Sequence, residues 1–214
     1  MARFASAASL WLVWVVASLL GLAVASWVSF HVSGRVLFGL RKTGLDPQFS
    51  GLFLIPVQHA IFGAGLGLAQ WVVLQRYLSR VGWWPAATAL GTLAAAPFVI
   101  IVALVVRHLL TPPEAIVYAV LTGCVTGTLI AVAQMTVLNS KGASFPLWPA
   151  AGLAGYGLGT VTTMAMSVFL YVPYDSLFGP ATGAIAGAIT GVALLRIVGK
   201  ELPPAISAST ARPG

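Results

Sequence analysis

Six apolar runs, each about 20 residues or longer, follow one another along the chain, at roughly 9–32, 52–75, 84–106, 116–138, 147–171 and 178–198. That is the length a helix needs to cross hydrocarbon, where each backbone polar group must be satisfied inside its own element. Barrel strands would alternate polar and apolar residues over about 10 positions, and no such alternation runs through this sequence. Composition agrees, with 59% hydrophobic and 7% charged residues. A soluble domain carries roughly 25% charged residues. The expected fold is all-α: a single six-helix transmembrane domain over 1–200, then a flexible polar tail over 201–214. The opening MARFA, an apolar run and Ala23-Val24-Ala25 have the outline of a secretory leader. Because the segment fits an internal repeat, it is read as a retained first helix.

The net charge of +7 does not point to nucleic acid, since the Lys and Arg residues stand singly or in pairs at helix ends. With six spans, the termini share a side with Arg3, Arg76, Arg80, Lys141, Arg196, Lys200 and Arg212. The other side holds Arg35, Arg41, Lys42 and Arg107 together with Asp46, Glu114 and Asp175. This bias predicts a bacterial cytoplasmic (inner) membrane protein with both termini in the cytoplasm. Trp11, Trp14, Trp71, Trp83, Trp84 and Trp148 would gather at the cytoplasmic boundary as interface anchors, and Trp27 at the other. Residues 33–50 form the longest loop, α-helical structure resumes near Pro56, and Pro97 should kink the third helix.

An internal repeat organises the spans. A step of 64 residues carries Trp84-Pro85-Ala86-Ala87 to Trp148-Pro149-Ala150-Ala151, and Ala69-Gln70 to Ala133-Gln134. On the odd spans one face reads Trp14-Ala17-Gly21-Ala25, then Trp84-Ala87-Gly91-Ala95, then Trp148-Ala151-Gly155-Gly159. On the even spans it reads His59-Gly63-Gly67-Gln70, Gly123-Gly127-Ala131-Gln134 and Gly183-Gly187-Gly191-Leu194. Three helical hairpins in parallel repeat are implied, at about 9–75, 84–138 and 147–198. GxxxG-type stripes of this kind let helix backbones approach closely in lipid, so Gly63, Gly67, Gly91, Gly123, Gly127, Gly155, Gly183, Gly187 and Gly191 are read as helix-packing positions.

Chemistry is sparse. Asp46, Glu114, Asp175 and Glu201 all fall in loops or the tail, so no carboxylate is expected inside the membrane. No nucleophile elbow, phosphate loop or paired carboxylate is present. An enzyme is not expected, and neither is a metal site, since the three histidines lack ligand spacing. Cys124 reads as a small apolar residue within a helix. His31, His59 and His108 all fall toward the non-cytoplasmic side. His59 stands where the other two copies carry glycine, and Gly63 one turn later leaves room for a flat ring, so a haem or chlorin on His59 is geometrically plausible. Gln70 and Gln134 are either hydrogen-bonding glue or ligand-binding groups, and Thr160, Thr162, Thr163 and Ser167 form a polar track on span five.

The stretch GLAQWVVLQRYLSRVGWW resembles a group of uncharacterised bacterial multi-pass membrane proteins. These carry glycine-spaced helices, a QW-L-VLRR-like stretch and a WW-initiated helix. The likeness is close over 63–91 and loose elsewhere. This chain has Gln75-Arg76 where the pattern has two arginines, and Ala133-Gln134-Met135 where a second Gln-Trp would stand. The resemblance implies the fold and, since such proteins are often found in phototrophic bacteria, association with an energy-converting or photosynthetic complex.

Three functional expectations follow. The leading one is a non-enzymatic accessory or scaffold subunit, held by small-residue stripes to other membrane subunits or to itself. The others are a small-solute transporter or substrate-binding membrane component, and a haem- or chlorophyll-binding subunit using His59.

Overall fold

The computed structural model describes residues 7–44, 47–78, 81–106, 112–139, 146–171 and 174–201. All of its regular structure is helical: α1 (Ala7–Lys42), α2 (Pro47–Leu74), α3 (Trp84–Val106), α4 (Pro112–Asn139), α5 (Leu147–Leu170) and α6 (Tyr174–Glu201). Each of the six contains a span long and apolar enough to cross a membrane. His108, Arg107, Lys141 and the tail from residue 202 onward lie outside the described residues.

The long loop expected at 33–50 is a correction. α1 runs on to Lys42, and α2 begins at Pro47 with Pro56 in its interior rather than at its start. No proline interrupts 33–42, so nothing forbids the helix from continuing. Gly44, at φ +77°, ends it, and its N–H donates back to the Arg41 carbonyl at 3.3 Å. Pro97 lies inside α3 as expected, and Pro180 inside α6.

Each helix packs against its neighbours in sequence, and α6 closes on α1, so the six form a ring around one axis. The membrane solvent explains which residues turn inward. On α1, Leu12, Val16, Leu20 and Val24 recur every four residues and are exposed, while Trp14, Ser18, Gly21, Ala25, Ser29 and Ser33 are buried. Leucine gains nothing by leaving lipid, so the inner face is given to small residues, which allow close packing, and to polar ones, which need partners.

The glycine positions lie along the helix seams. Gly63 and Gly67 face α3 at Thr88, Ala89 and Pro85; Gly91 faces Ile130 of α4; Gly123 and Gly127 face Tyr156, Thr160 and Gly152 of α5. Gly155 meets Ala186 of α6, and Gly183, Gly187 and Gly191 meet α1 at Ser18, Val15 and the indoles of Trp11 and Trp14. All nine point at another helix of the same chain; at eight of them a Cβ would come within 3.0 Å of a neighbouring atom, and at Gly155 it would lie 3.1 Å from Ala186 Cα.

Candidate functional site

The ring's interior has two levels. The end nearer the chain termini is filled by a plug of three tryptophans, one from each odd-numbered helix. Trp14, Trp84 and Trp148 are 0%, 0% and 1% exposed. Their ring centroids form a near-equilateral triangle with edges of 6.4, 6.2 and 5.8 Å, and each pair meets edge to face. The sequence placed these three near one membrane boundary; in the structure they lie on the bundle axis, turned away from lipid. Trp83 and Trp27, by contrast, are exposed. An indole can leave the interface only if its N–H finds an acceptor, and the even helices supply one for each ring. Trp84 Nε1 donates to Gln70 Oε1 and Trp148 Nε1 to Gln134 Oε1, both at 3.1 Å, and Trp14 Nε1 donates to Thr190 Oγ1 at 3.0 Å.

The two glutamines are also joined to each other. Gln134 Nε2 donates to Gln70 Oε1 at 3.1 Å and to Thr88 Oγ1 at 2.9 Å, and Gln70 Nε2 donates to Ser18 Oγ at 3.2 Å. Both amides are buried and engaged at the oxygen and at the nitrogen. They fasten the plug, drawing α1, α2, α3, α4 and α5 together across the axis. On α6 the acceptor for Trp14 is Thr190, which itself donates to the Ala186 carbonyl at 2.7 Å, and Leu194 follows one turn later. Replacing Thr190 by Val should strand the Trp14 N–H in a dry interior and cost about 1–3 kcal/mol. Chemical unfolding of the detergent-solubilised protein would measure this, with Thr190→Ser retaining most of the stability.

Beyond the plug, toward the α1–α2 and α5–α6 turns, the axis opens into a cavity of about 720 Å³ to which all six helices contribute. Its floor is the apolar cluster of Leu22, Leu66, Ile130 and Tyr156, with Phe62 packed against it. Also in the lining are Ser26 and Thr92 near the floor and His59, Ser29, Thr122 and Thr160 farther from it, and the exposed residues His31, Gly34 and Arg35 form the rim. The buried hydroxyl oxygens of Ser26 and Ser29 have no hydrogen-bond partner. The Nδ1 of His59 lies 2.8 Å from the Ile55 carbonyl, and that of His31 lies 2.8 Å from the Trp27 carbonyl.

Of the polar candidates, Gln70 and Gln134 belong to the plug, His59 and Thr160 to the cavity wall, and His31 to the rim. Thr163 turns to α6, where its hydroxyl meets that of Thr182 at 3.0 Å. The tryptophan triangle, Thr190, Ser29 and the cavity itself were not foreseen. A signal for the plug was present: each glutamine precedes its tryptophan by the same 14 residues. The architecture is thus a closed six-helix ring of membrane-spanning length, plugged at one end and hollow at the other. No protein family, curated protein or solved structure matches the chain.

Proposed function

We propose that the protein is a substrate-binding membrane component, which takes one small, largely apolar solute into the axial cavity from the side opposite its termini. The observation that carries this reading is the cavity. Its volume of about 720 Å³ falls within the range of small-molecule sites, and it combines apolar walls with a few convergent polar groups. The plug below it makes a binding site, rather than an open pore, the better reading. The accessory-subunit reading drew its support from the small-residue stripes, and those stripes are consumed between helices of this chain. The Lys/Arg bias toward the terminal side supports cytoplasmic termini, and in a bacterial inner membrane loading would then be periplasmic. The triangle of tryptophans and the recurring Gln–Trp pairing support three repeated hairpins, in keeping with the bacterial group that the 63–91 stretch resembles.

Filling the cavity tests the reading. Thr126→Phe and Val99→Trp, on α4 and α3 of the lining, should each abolish ligand adducts seen by native mass spectrometry after gentle extraction. The assembled fold should survive at least one of them. Adducts undiminished in both folded variants would refute cavity binding. A haem or chlorin remains a second reading on one observation: the Nδ1 contact to the Ile55 carbonyl leaves the other ring nitrogen of His59 available as a metal ligand. An absorption band lost on His59→Ala would support it, and a colourless native preparation would remove it.

A further inference from the structure

We infer that the lipid-facing stripe at the far end of α1 is a headgroup site for an anionic phospholipid, with the phosphate held between Arg35 and Lys42. The site lies on the outside of the bundle and does not depend on what the cavity holds.

The exposed face of α1 supplies the stripe. Val24, Trp27, His31, Arg35, Phe38 and Lys42 follow one another at steps of three, four, four, three and four, so they share one helix face. All six are exposed, Trp27 and Phe38 at 65% each. Going outward from the middle of the bundle, the stripe is apolar, then aromatic, then cationic. A phospholipid offers the same order: acyl chain, ester region, phosphate.

Local contacts set the stripe's geometry. His31 Nδ1 donates to the Trp27 carbonyl at 2.8 Å, and the two ring centroids lie 4.3 Å apart. Lys42 Nζ turns back over Phe38, 4.5 Å from the ring centroid. The ammonium therefore stands one turn nearer to Arg35 than its backbone does, and the two cations bracket Phe38. A Cβ at Gly34 or Gly39 would meet nothing within 4 Å, so among the described residues no other helix covers this end.

Depth and charge name the occupant. α5 stops at Leu170, 22 residues beyond its axial Trp148, and Val168, Phe169 and Leu170 are exposed there. That apolar end marks the edge of the hydrocarbon, level with Val36 on α1. α1 runs on to Lys42, 28 residues beyond Trp14, which is about 9 Å further. A headgroup layer is about 5–8 Å thick, so Arg35 enters it and Lys42 reaches across it. α1 carries no Asp or Glu, and its cations find their complement in phosphate. A choline headgroup would set a second cation beside Lys42, whereas an anionic headgroup adds none.

The test titrates the full chain in detergent with phosphatidylglycerol or phosphatidylcholine of identical acyl chains, and native mass spectrometry follows the first lipid bound. Phosphatidylglycerol should bind about tenfold or more tighter. Arg35→Gln and Lys42→Gln should each reduce that preference about fivefold. Arg41→Gln removes an equal charge from the neighbouring face and should change it by less than about twofold. All three side chains are exposed, so the fold is not at stake. Thr126→Phe, which fills the cavity, should also leave the preference intact, and glycerol phosphate at equal concentration should not displace the lipid. Equal binding of the two lipids would overturn the inference, as would an Arg41→Gln effect as large as that of Lys42→Gln. So would loss on Thr126→Phe, which would place the lipid in the cavity, or displacement by glycerol phosphate, which would make this a site for the free headgroup. A dimer without bound lipid would give the face to a second copy of the chain and overturn it too.

Discussion

Gly127→Leu should prevent the bundle from closing between α4 and α5, at a cost of at least about 3 kcal/mol. The Gly127 Cα faces the Gly152 carbonyl of α5, with Tyr156 Cβ only 2.7 Å from where a new Cβ would stand. The obstruction is backbone against side-chain root, so no rotamer of the new residue relieves it and the helices must separate. Separation loses the close dispersion contacts that hold helices together in lipid, where no hydrophobic force substitutes for them. Gly34→Leu is the matched control. Nothing lies within 4 Å of its Cβ position, and its effect should stay within about 0.5 kcal/mol. Resistance to unfolding in a denaturing detergent would measure both. A Gly127→Leu protein as resistant as the parent would disprove the close crossing.

Gln134→Leu should cost about 2–4 kcal/mol, since one substitution strands the buried Trp148 N–H and removes two further buried hydrogen bonds. It removes the acceptor of the Trp148 N–H and the donor shared by Gln70 Oε1 and Thr88 Oγ1. Helix α6 suggests a rescue. There Thr190 accepts from Trp14, and Leu194 stands four residues later. The residue four positions before Gln134 is Ile130. The double variant Ile130→Thr/Gln134→Leu copies the Thr190–Leu194 pair of α6 onto α4, and should recover the Trp148 share of the loss, about 1 kcal/mol or more. Equilibrium unfolding of the single and double variants, followed by tryptophan emission, would decide it. A double variant no better than the single one would show that Thr190 is not a substitute for glutamine.

The sequence by itself determined the solvent and the number of helices. Runs of about 20 apolar residues leave a chain no other way to satisfy its backbone in lipid, and glycine at four-residue spacing is legible as helix seams because a missing side chain has one plain use there. It also marked Gln70 and Gln134 as equivalent. It did not reveal where the tryptophans go. An indole is stable at a membrane interface or inside a bundle, and the choice depends on whether an acceptor stands within about 3 Å. That acceptor lies on the facing helix, in the Trp14 case 176 residues away. The helical continuation to Lys42 was hidden as well, because charged residues at a membrane surface read equally as loop or as helix. Ring closure of α6 on α1 decided the rest. It turned six amphipathically featureless helices into a wall with an inside, and gathered His59, Thr122 and Thr126 from separate spans around one hollow that local sequence has no means of encoding.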